Sequence, residues 1–207
     1  MAVDMDIGRV EMAFTRQLEA RRLEELRGEL GYYLSAHPHP ALGEGALFIG
    51  EGFETYSLSV DGIARAAHGV DLAACLVKTG NWQHQILRKG QPAAIAYSGT
   101  RGDMRDSWHI RGVVASPAAA KIDRAIQWID RQRPEDKIEV FFFIAPAFQL
   151  QAFLLKGFSA EEVFIVLNPF RSGLLDEGVV YSPSAMATAL STSKPAQGVT
   201  APTAFRK

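Results

Sequence analysis

Hydrophobic positions between Trp108 and Pro169 switch repeatedly between the patterns of strands and of helices. In chain order they predict a strand over 108–116, a helix over 117–132, a buried strand over 137–145, a second helix over 146–157 and a third strand over 161–169. Strands separated by helical segments of this length favour βαβ units, because a parallel neighbour is reached through a crossover that can hold a helix. We therefore predict an α/β fold with a mixed, mostly parallel sheet flanked by helices.

A long amphipathic helix is predicted ahead of this core, over residues 8–34. Val10, Phe14 and Leu18 lie four positions apart, and a stripe of leucines continues the apolar face as far as Tyr33. A helix with one apolar face packs either on its own domain or on another chain. The first interpretation makes it part of the fold, and the second makes it a dimerisation or partner-binding helix.

Shorter patterns complete the chain. Alternating or short apolar runs predict strands over 46–49, 55–60 and 93–97, a capped polar segment predicts a helix over 80–90, and 70–77 suits either a strand or the start of a helix. The segment after Tyr181 is rich in Ser, Thr, Ala and Pro, which predicts a flexible tail in which Ser184 could cap a short helix. The predicted domains are an N-terminal helix (1–36), an α/β domain (37–181) and a tail (182–207).

Composition restricts the function classes. The 207 residues are 47% hydrophobic and 22% charged, with a net charge of −1, so no strong field for duplex nucleic acid or anionic lipid is expected. The single cysteine, Cys75, excludes an internal disulfide framework and favours a reducing, cytoplasmic setting. The first residues lack the order of a secretion signal, and the longest apolar run is far shorter than the roughly 20 residues that span a bilayer.

Three predicted strand ends carry the side chains that suit a ligand. In open α/β sheets, ligands bind beyond the carboxyl ends of the strands, and parallel strands would bring these ends to one edge. Glycines allow close backbone approach, guanidinium groups bind anions, and a helix start after residue 145 would favour negative charge. The predicted ligand-binding residues are Ser98, Thr100, Arg101, Asp103, Pro146, Gln149, Asn168 and Arg171.

These residues predict a non-catalytic binding or regulatory protein for an anionic small molecule such as a nucleotide. Ordinary surface turns are the alternative interpretation, because Gly, Ser, Asn and Asp dominate turns for conformational reasons. No cofactor is expected. A further alternative is a structural or assembly protein that acts through the first helix, which would form a homo-oligomer or bind a protein partner, and through the tail.

Signals for catalysis or metal binding are weaker. A small hydrolase or transferase would use Ser98, with His109 as a base, or Cys75, with His68 or His84 as a base, but no nucleophile elbow is present. Asp103 and Asp106 could form a carboxylate pair. His37 and His39 alternate with prolines and have no further ligand at metal-binding spacing, so a stiff linker is favoured over a metal site.

A family resemblance covers residues 70 to 170. The order of VDL (70–72), Trp82, IAYSGT (95–100), FFFIAP (141–146) and VFIVLNP (163–169) resembles the SAVED domains that sense cyclic oligonucleotides in bacterial antiphage systems. Such domains pass from a strand through a proline into a helix with a small residue and a glycine, as Pro146, Ala152 and Gly157 would here. The resemblance implies a sensor whose ligand lies over Ser98, Thr100 and the Pro146 turn. Such sensors are usually fused to an effector, and we expect none before this domain.

Overall fold

The computed structural model describes residues 18–43, 45–101, 104–132, 138–158, 162–168 and 174–193, with only the backbone for Ala20, Arg101 and 104–107. The described helices are α1 (Ala20–Ala36), α2 (Val60–Ala67), α3 (Ala118–Gln132) and α4 (Pro183–Thr192). The strands are β1 (Leu47–Ser57), β2 (Val77–Arg88), β3 (Gln91–Arg101), β4 (Met104–Val114), β5 (Glu139–Ala145), β6 (Leu150–Lys156), β7 (Val163–Asn168) and β8 (Val180–Tyr181). Short 3-10 turns lie at Pro40–Leu42, Ala73–Cys75 and Pro146–Phe148.

The strands form one mixed sheet in the order β4-β3-β2-β1-β5-β6-β7-β8. The α/β class and the mixed sheet are confirmed, but the mostly parallel arrangement is wrong. Only β1 and β5 pair in parallel among these strands, and every other neighbouring pair is antiparallel. β1 therefore joins an antiparallel meander, β1 to β4, to a second antiparallel group that begins at β5.

Tight turns explain the antiparallel pairing. Lys89 and Gly90 connect β2 to β3 with φ values of 50° and 76°, the left-handed conformation that two-residue hairpin turns require. Residues 146–149 connect β5 to β6, where Ala145 pairs directly with Leu150. Connections this short can only join antiparallel neighbours. α3 lies in the longer connection from β4 to β5, but these two strands run in opposite directions and are not neighbours, so the connection is not the predicted βαβ unit.

Helices cover both faces of the sheet. On one face α3 buries Ile122 and Ile129 against Phe142 and Phe153. On the other face α1 packs Leu26 and Leu30 on strands β1 to β4, and α2 and α4 cover β5 to β7. Alternate residues of β5 point to opposite faces, and both sets are buried, so its apolar run is unbroken.

Two predicted helices are strands. Residues 80–90 belong to β2 and the turn after it, and 146–157 form the Pro146 turn and β6. The second correction removes the helix after Pro146 that contributed to the SAVED resemblance. Residues 70–76 are neither a strand nor a long helix, but a loop with a 3-10 turn that leads into β2, which begins at Val77.

The two ends of the chain also differ from the predictions. The first helix begins at Ala20, so 18 and 19 precede it, and residues 8–17 of its predicted range lie outside the described residues. The short helix that the sequence allowed in the tail is α4, but it is capped by Ser182 rather than Ser184, and its Met186 and Leu190 enter the core. Residues 194–207 lie outside the described residues.

Candidate functional site

The ends of β3, β5 and β7 lie at one edge of the sheet. These three strands run in the same direction, because each is separated from the next by two antiparallel steps. Asp103 and Arg171, however, lie outside the described residues, as does the Asp106 side chain, and only the backbone of Arg101 is described. The predicted meeting of the two guanidinium groups is therefore untested.

Ser98 lies inside β3 rather than in a loop. It is completely buried, as is His84 of β2, and the His84 Nε2 atom is 2.6 Å from Ser98 Oγ. The two side chains share a face of the sheet as diagonal neighbours, since Ser98 pairs with Trp82 and His84 pairs with Ala96. Ser98 is thus not available to a ligand in this structure.

The Ser98–His84 contact joins a hydroxyl to an imidazole, as in a catalytic nucleophile and its base. The surroundings of the two side chains, however, are not those of an active site. His84 Nδ1 is buried and has no hydrogen-bond partner, and Gly52 of β1 closes the space beside it. Burial lowers the pKa of His84 to about 4, whereas a general base works best with a pKa near the working pH. The geometry therefore supports a structural polar pair.

The other catalytic candidates also lie apart from one another. Cys75 is a free, buried thiol. His68 Nδ1 lies 2.7 Å from the Ala64 carbonyl of its own helix, and His109 Nδ1 lies 3.2 Å from Glu29 Oε2 of α1. The alternative of a hydrolase or transferase stays a prediction, with no observation that favours it.

Thr100 stands beside a cation that the sequence patterns did not single out. Arg111 of β4 donates from Nη2 to the Thr100 carbonyl at 2.5 Å and from Nη1 to Asn81 Oδ1 at 2.9 Å. Arg111 thus ties together β2, β3 and β4 near the end of β3. Nothing in the sequence indicated this contact beyond the position of Arg111 on a predicted strand.

Gln149 and Asn168 are brought together, and a lysine joins them. Asn168 Nδ2 donates to the Gln149 carbonyl at 3.4 Å, which links the turn after Pro146 to the end of β7. Lys121 Nζ of α3 lies 3.5 Å from Asn168 Oδ1. The end of β7 is therefore coupled to the positively charged face of α3.

A cleft of about 260 Å³ opens at this place, between α3, β7 and the turn before β8. Its lining combines cationic side chains with an apolar floor and an indole: Lys121, Arg124, Ala125, Trp128, Arg131, Ile165, Val166, Leu167, Glu177 and Gly178. Trp128 is half-buried, and its ring lies against Phe158 with centroids 5.4 Å apart. We call this the α3–β7 cleft.

One carboxylate serves two of the three cations in the α3–β7 cleft. Glu177 Oε2 lies 2.9 Å from Lys121 Nζ, and Glu177 Oε1 lies 2.7 Å from Arg124 Nη2. The hydrogen bond from Lys121, and then that from Arg124, lower the pKa of Glu177. The Arg131 Nε atom donates to the Gln127 carbonyl of its own helix rather than to a carboxylate. The lining therefore keeps an excess of positive charge.

The cationic stripe had a signal in the sequence. Lys121, Arg124, Trp128 and Arg131 follow one another at spacings of three, four and three, which places them on one side of a helix. Three of them lie off the apolar stripe of α3, a pattern that by itself is typical of the solvent face of a helix. Glu177 could not be found in this way, since it reaches α3 from a distant turn.

Two larger clefts lack this charge. One of about 510 Å³ lies between the loop after α2 and the start of α4, and its ionisable lining residues are Asp71 and Glu162. A second, of about 460 Å³, lies on α4 and has no ionisable side chain other than Tyr181 in its lining. Of these clefts, only the α3–β7 cleft suits an anion.

Neither other kinds of site in the described residues nor related proteins indicate a function for this chain. Within the described ranges, no group of three or more His, Cys, Asp or Glu side chains is placed to hold a metal ion. None of the helices in the same ranges has both the length and the apolar composition needed to cross a bilayer. Comparison with models of known protein families, with curated proteins and with solved structures found no match.

Proposed function

We propose that this protein binds an anionic small molecule without transforming it, and that the α3–β7 cleft is the binding site. The observation that carries the proposal is the cationic stripe of Lys121, Arg124 and Arg131 beside an indole and an apolar floor, with one carboxylate among them. Small-molecule sites are typically apolar clefts with a few placed polar groups. The cleft has this composition.

The cations of α3 are already positioned to bind one anion together. Lys121 and Arg124 are on adjacent turns of α3, and their common contact with Glu177 shows that both heads reach one anionic group. A hydrogen bond to a charged group contributes about 1.5–3 kcal/mol when it is shielded from water. Two such contacts form when a ligand covers the two heads, and burial of its apolar body on Trp128 adds to them.

The proposed site differs in location from the site predicted from the sequence. Asn168 is shared by both, through its contact with Lys121, and Gln149 lies next to it. Ser98 is not part of the proposed site, because its side chain is fully buried. A volume of about 260 Å³ falls just below the usual range for ligand pockets, about 300–1,000 Å³. The cleft therefore favours a small ligand over the cyclic oligonucleotide that the SAVED resemblance implies, and nucleotides form one arm of the test.

Replacing Lys121 and Arg124 together by alanine is expected to weaken anion binding by about tenfold to a hundredfold, because two charge-assisted contacts are lost. Binding is measured by Trp128 fluorescence and by thermal shift with a panel of carboxylates, inorganic phosphate and AMP. The matched control replaces Arg27 and Arg65, two exposed cations on other helices, by alanine. It lowers the net charge equally and should bind like the unmodified protein.

Two results would remove the proposal. Either no anion of the panel changes the fluorescence or the melting temperature, or the double variant in the cleft binds as well as its control. A Trp128→Phe variant identifies the reporter, because Trp82 and Trp108 lie on strands outside the lining of the cleft. Its fluorescence response to the ligand should disappear while the thermal shift remains.

A further inference from the structure

Glu177 already occupies the position where the anion of a ligand would lie. Its two carboxylate oxygens are divided between the two cations, one on the Lys121 ammonium group at 2.9 Å and one on the Arg124 guanidinium group at 2.7 Å. The two heads are therefore spaced so that a single carboxylate bridges them. The protein itself shows which anion these heads accept.

The backbone around Glu177 is fixed independently of this side chain. The Gly178 N–H donates to the Val166 carbonyl of β7 at 2.8 Å, and the Val179 N–H donates to the Asp176 carbonyl at 3.3 Å. Gly178 has a φ of 75°, which closes the turn in a conformation that favours glycine. The Glu177 side chain can thus rotate away while the turn stays on β7.

The ion pairs of Glu177 are weak enough to be exchanged. The Glu177 side chain is 38% exposed and that of Arg124 is 63% exposed. Exposed ion pairs stabilise proteins by only about 0–1 kcal/mol, because water solvates both partners well. A ligand that makes the same two charge contacts and also buries apolar surface therefore binds the two cations in preference to the Glu177 side chain.

We infer that the ligand is a small carboxylate with an apolar or aromatic body, which displaces the Glu177 side chain from Lys121 and Arg124. This inference rests on the proposed function and deepens it. The carboxylate takes the two cationic heads, and the body lies along Trp128, Ile165 and Leu167. Glu177 acts as an internal competitor that keeps the cations paired when the ligand is absent.

A Glu177→Gln variant tests the inference, because the amide keeps the size of the side chain and removes its charge. Octanoate is expected to bind the variant about fivefold more tightly, which corresponds to the loss of an exposed ion pair as competitor. Octanol, which has the same body without the charge, should bind both proteins weakly and equally. Titration calorimetry gives the affinities, and Glu24→Gln on α1 is the charge-matched control.

The outcomes separate this inference from the proposed function. If octanoate binds Glu177→Gln no more tightly than the unmodified protein, or octanol matches octanoate, the inference is wrong. If phosphate or AMP binds, octanoate does not, and alanine at Lys121 and Arg124 abolishes binding, the inference is wrong and the proposed function stands. If none of the probes binds either protein, both are wrong. Unchanged melting temperatures of the free variants show that folding is not the cause.

Discussion

Replacing Gly52 by alanine is expected to destabilise the protein by about 2–3 kcal/mol, although Gly52 lies in an ordinary extended strand conformation. A Cβ atom built on Gly52 would lie 2.5 Å from His84 Nδ1 and 2.8 Å from His84 Cε1, which is closer than any real contact. The His84 ring cannot move aside easily, because it is fully buried and bonded to Ser98. Overpacking a closed core of this kind typically costs 1–3 kcal/mol, since side chains and backbone must shift together.

Urea denaturation measures this effect against Gly112→Ala on β4, where an added Cβ would meet its nearest neighbour, Tyr97 Cδ2, at 3.9 Å. The control should change stability by about 0.5 kcal/mol or less. Combining Gly52→Ala with His84→Ala should recover part of the loss, because the clashing ring is then absent, and a double-mutant cycle would show this coupling. Equal stability of Gly52→Ala and Gly112→Ala would show that β1 and β2 do not meet as described.

Elements whose hydrophobic pattern fits only one type of secondary structure were predicted correctly from the sequence. In α3 the buried residues Ile122, Ala125, Ile126 and Ile129 recur at helical spacing, and no strand could place them on one face. The runs of β5 and β7 are too short for a helix and are bounded by turn residues, which leaves a strand buried on both faces.

The predictions of helices at β2 and β6 are wrong because the hydrophobic patterns of these segments fit both a helix and a strand. Trp82 and Ile86 are four positions apart, which is about one helical turn but also an even number of strand positions. β6 is apolar on both faces, so its periodicity cannot separate a strand from a buried helix. The hairpin turn Lys89–Gly90 lacks the Asn or Asp that usually signals such a turn, so the strand pairing was not visible.

The site was predictable only in parts. A common edge for the ends of β3, β5 and β7 follows from the observed sheet, but through alternating antiparallel strands rather than parallel pairing. The cations of α3 could be placed on one helix face from their spacing. Their partner Glu177 is 53 residues from Arg124, and the Ser98–His84 contact depends on hairpin register. Contacts of this kind come from topology, which local patterns do not contain.

Acidification from about pH 7.5 to about pH 4.5 is expected to cost the folded state about 2.5 kcal/mol through His84 alone. Burial lowers the pKa of His84 from its ordinary value of 6.5 to about 4. In the unfolded chain the imidazole takes up a proton as the pH falls below 6.5, whereas in the folded protein it stays neutral until about pH 4. The unfolded state therefore binds more protons in this window, and stability that is complete above pH 6.5 is lost as the pH falls towards 4.

The measurement is the pH dependence of urea unfolding for the unmodified protein and for His84→Gln. The glutamine removes the titration and keeps an amide that can bond to Ser98, while all other titrating groups are common to both proteins. The unmodified protein should lose about 2.5 kcal/mol more than the variant over this range.

An equal loss in both proteins would mean that His84 titrates near its ordinary pKa when folded, which requires water or a carboxylate beside Nδ1. That result would reopen the Ser98–His84 pair as a catalytic base and nucleophile, because a base with a pKa near neutrality is what such chemistry needs. Since Nδ1 is buried without a partner and faces Gly52, we expect the larger loss. The pair then holds β2 and β3 together through a neutral hydrogen bond, and the proposed ligand site lies on the opposite face of the sheet, where α3 packs.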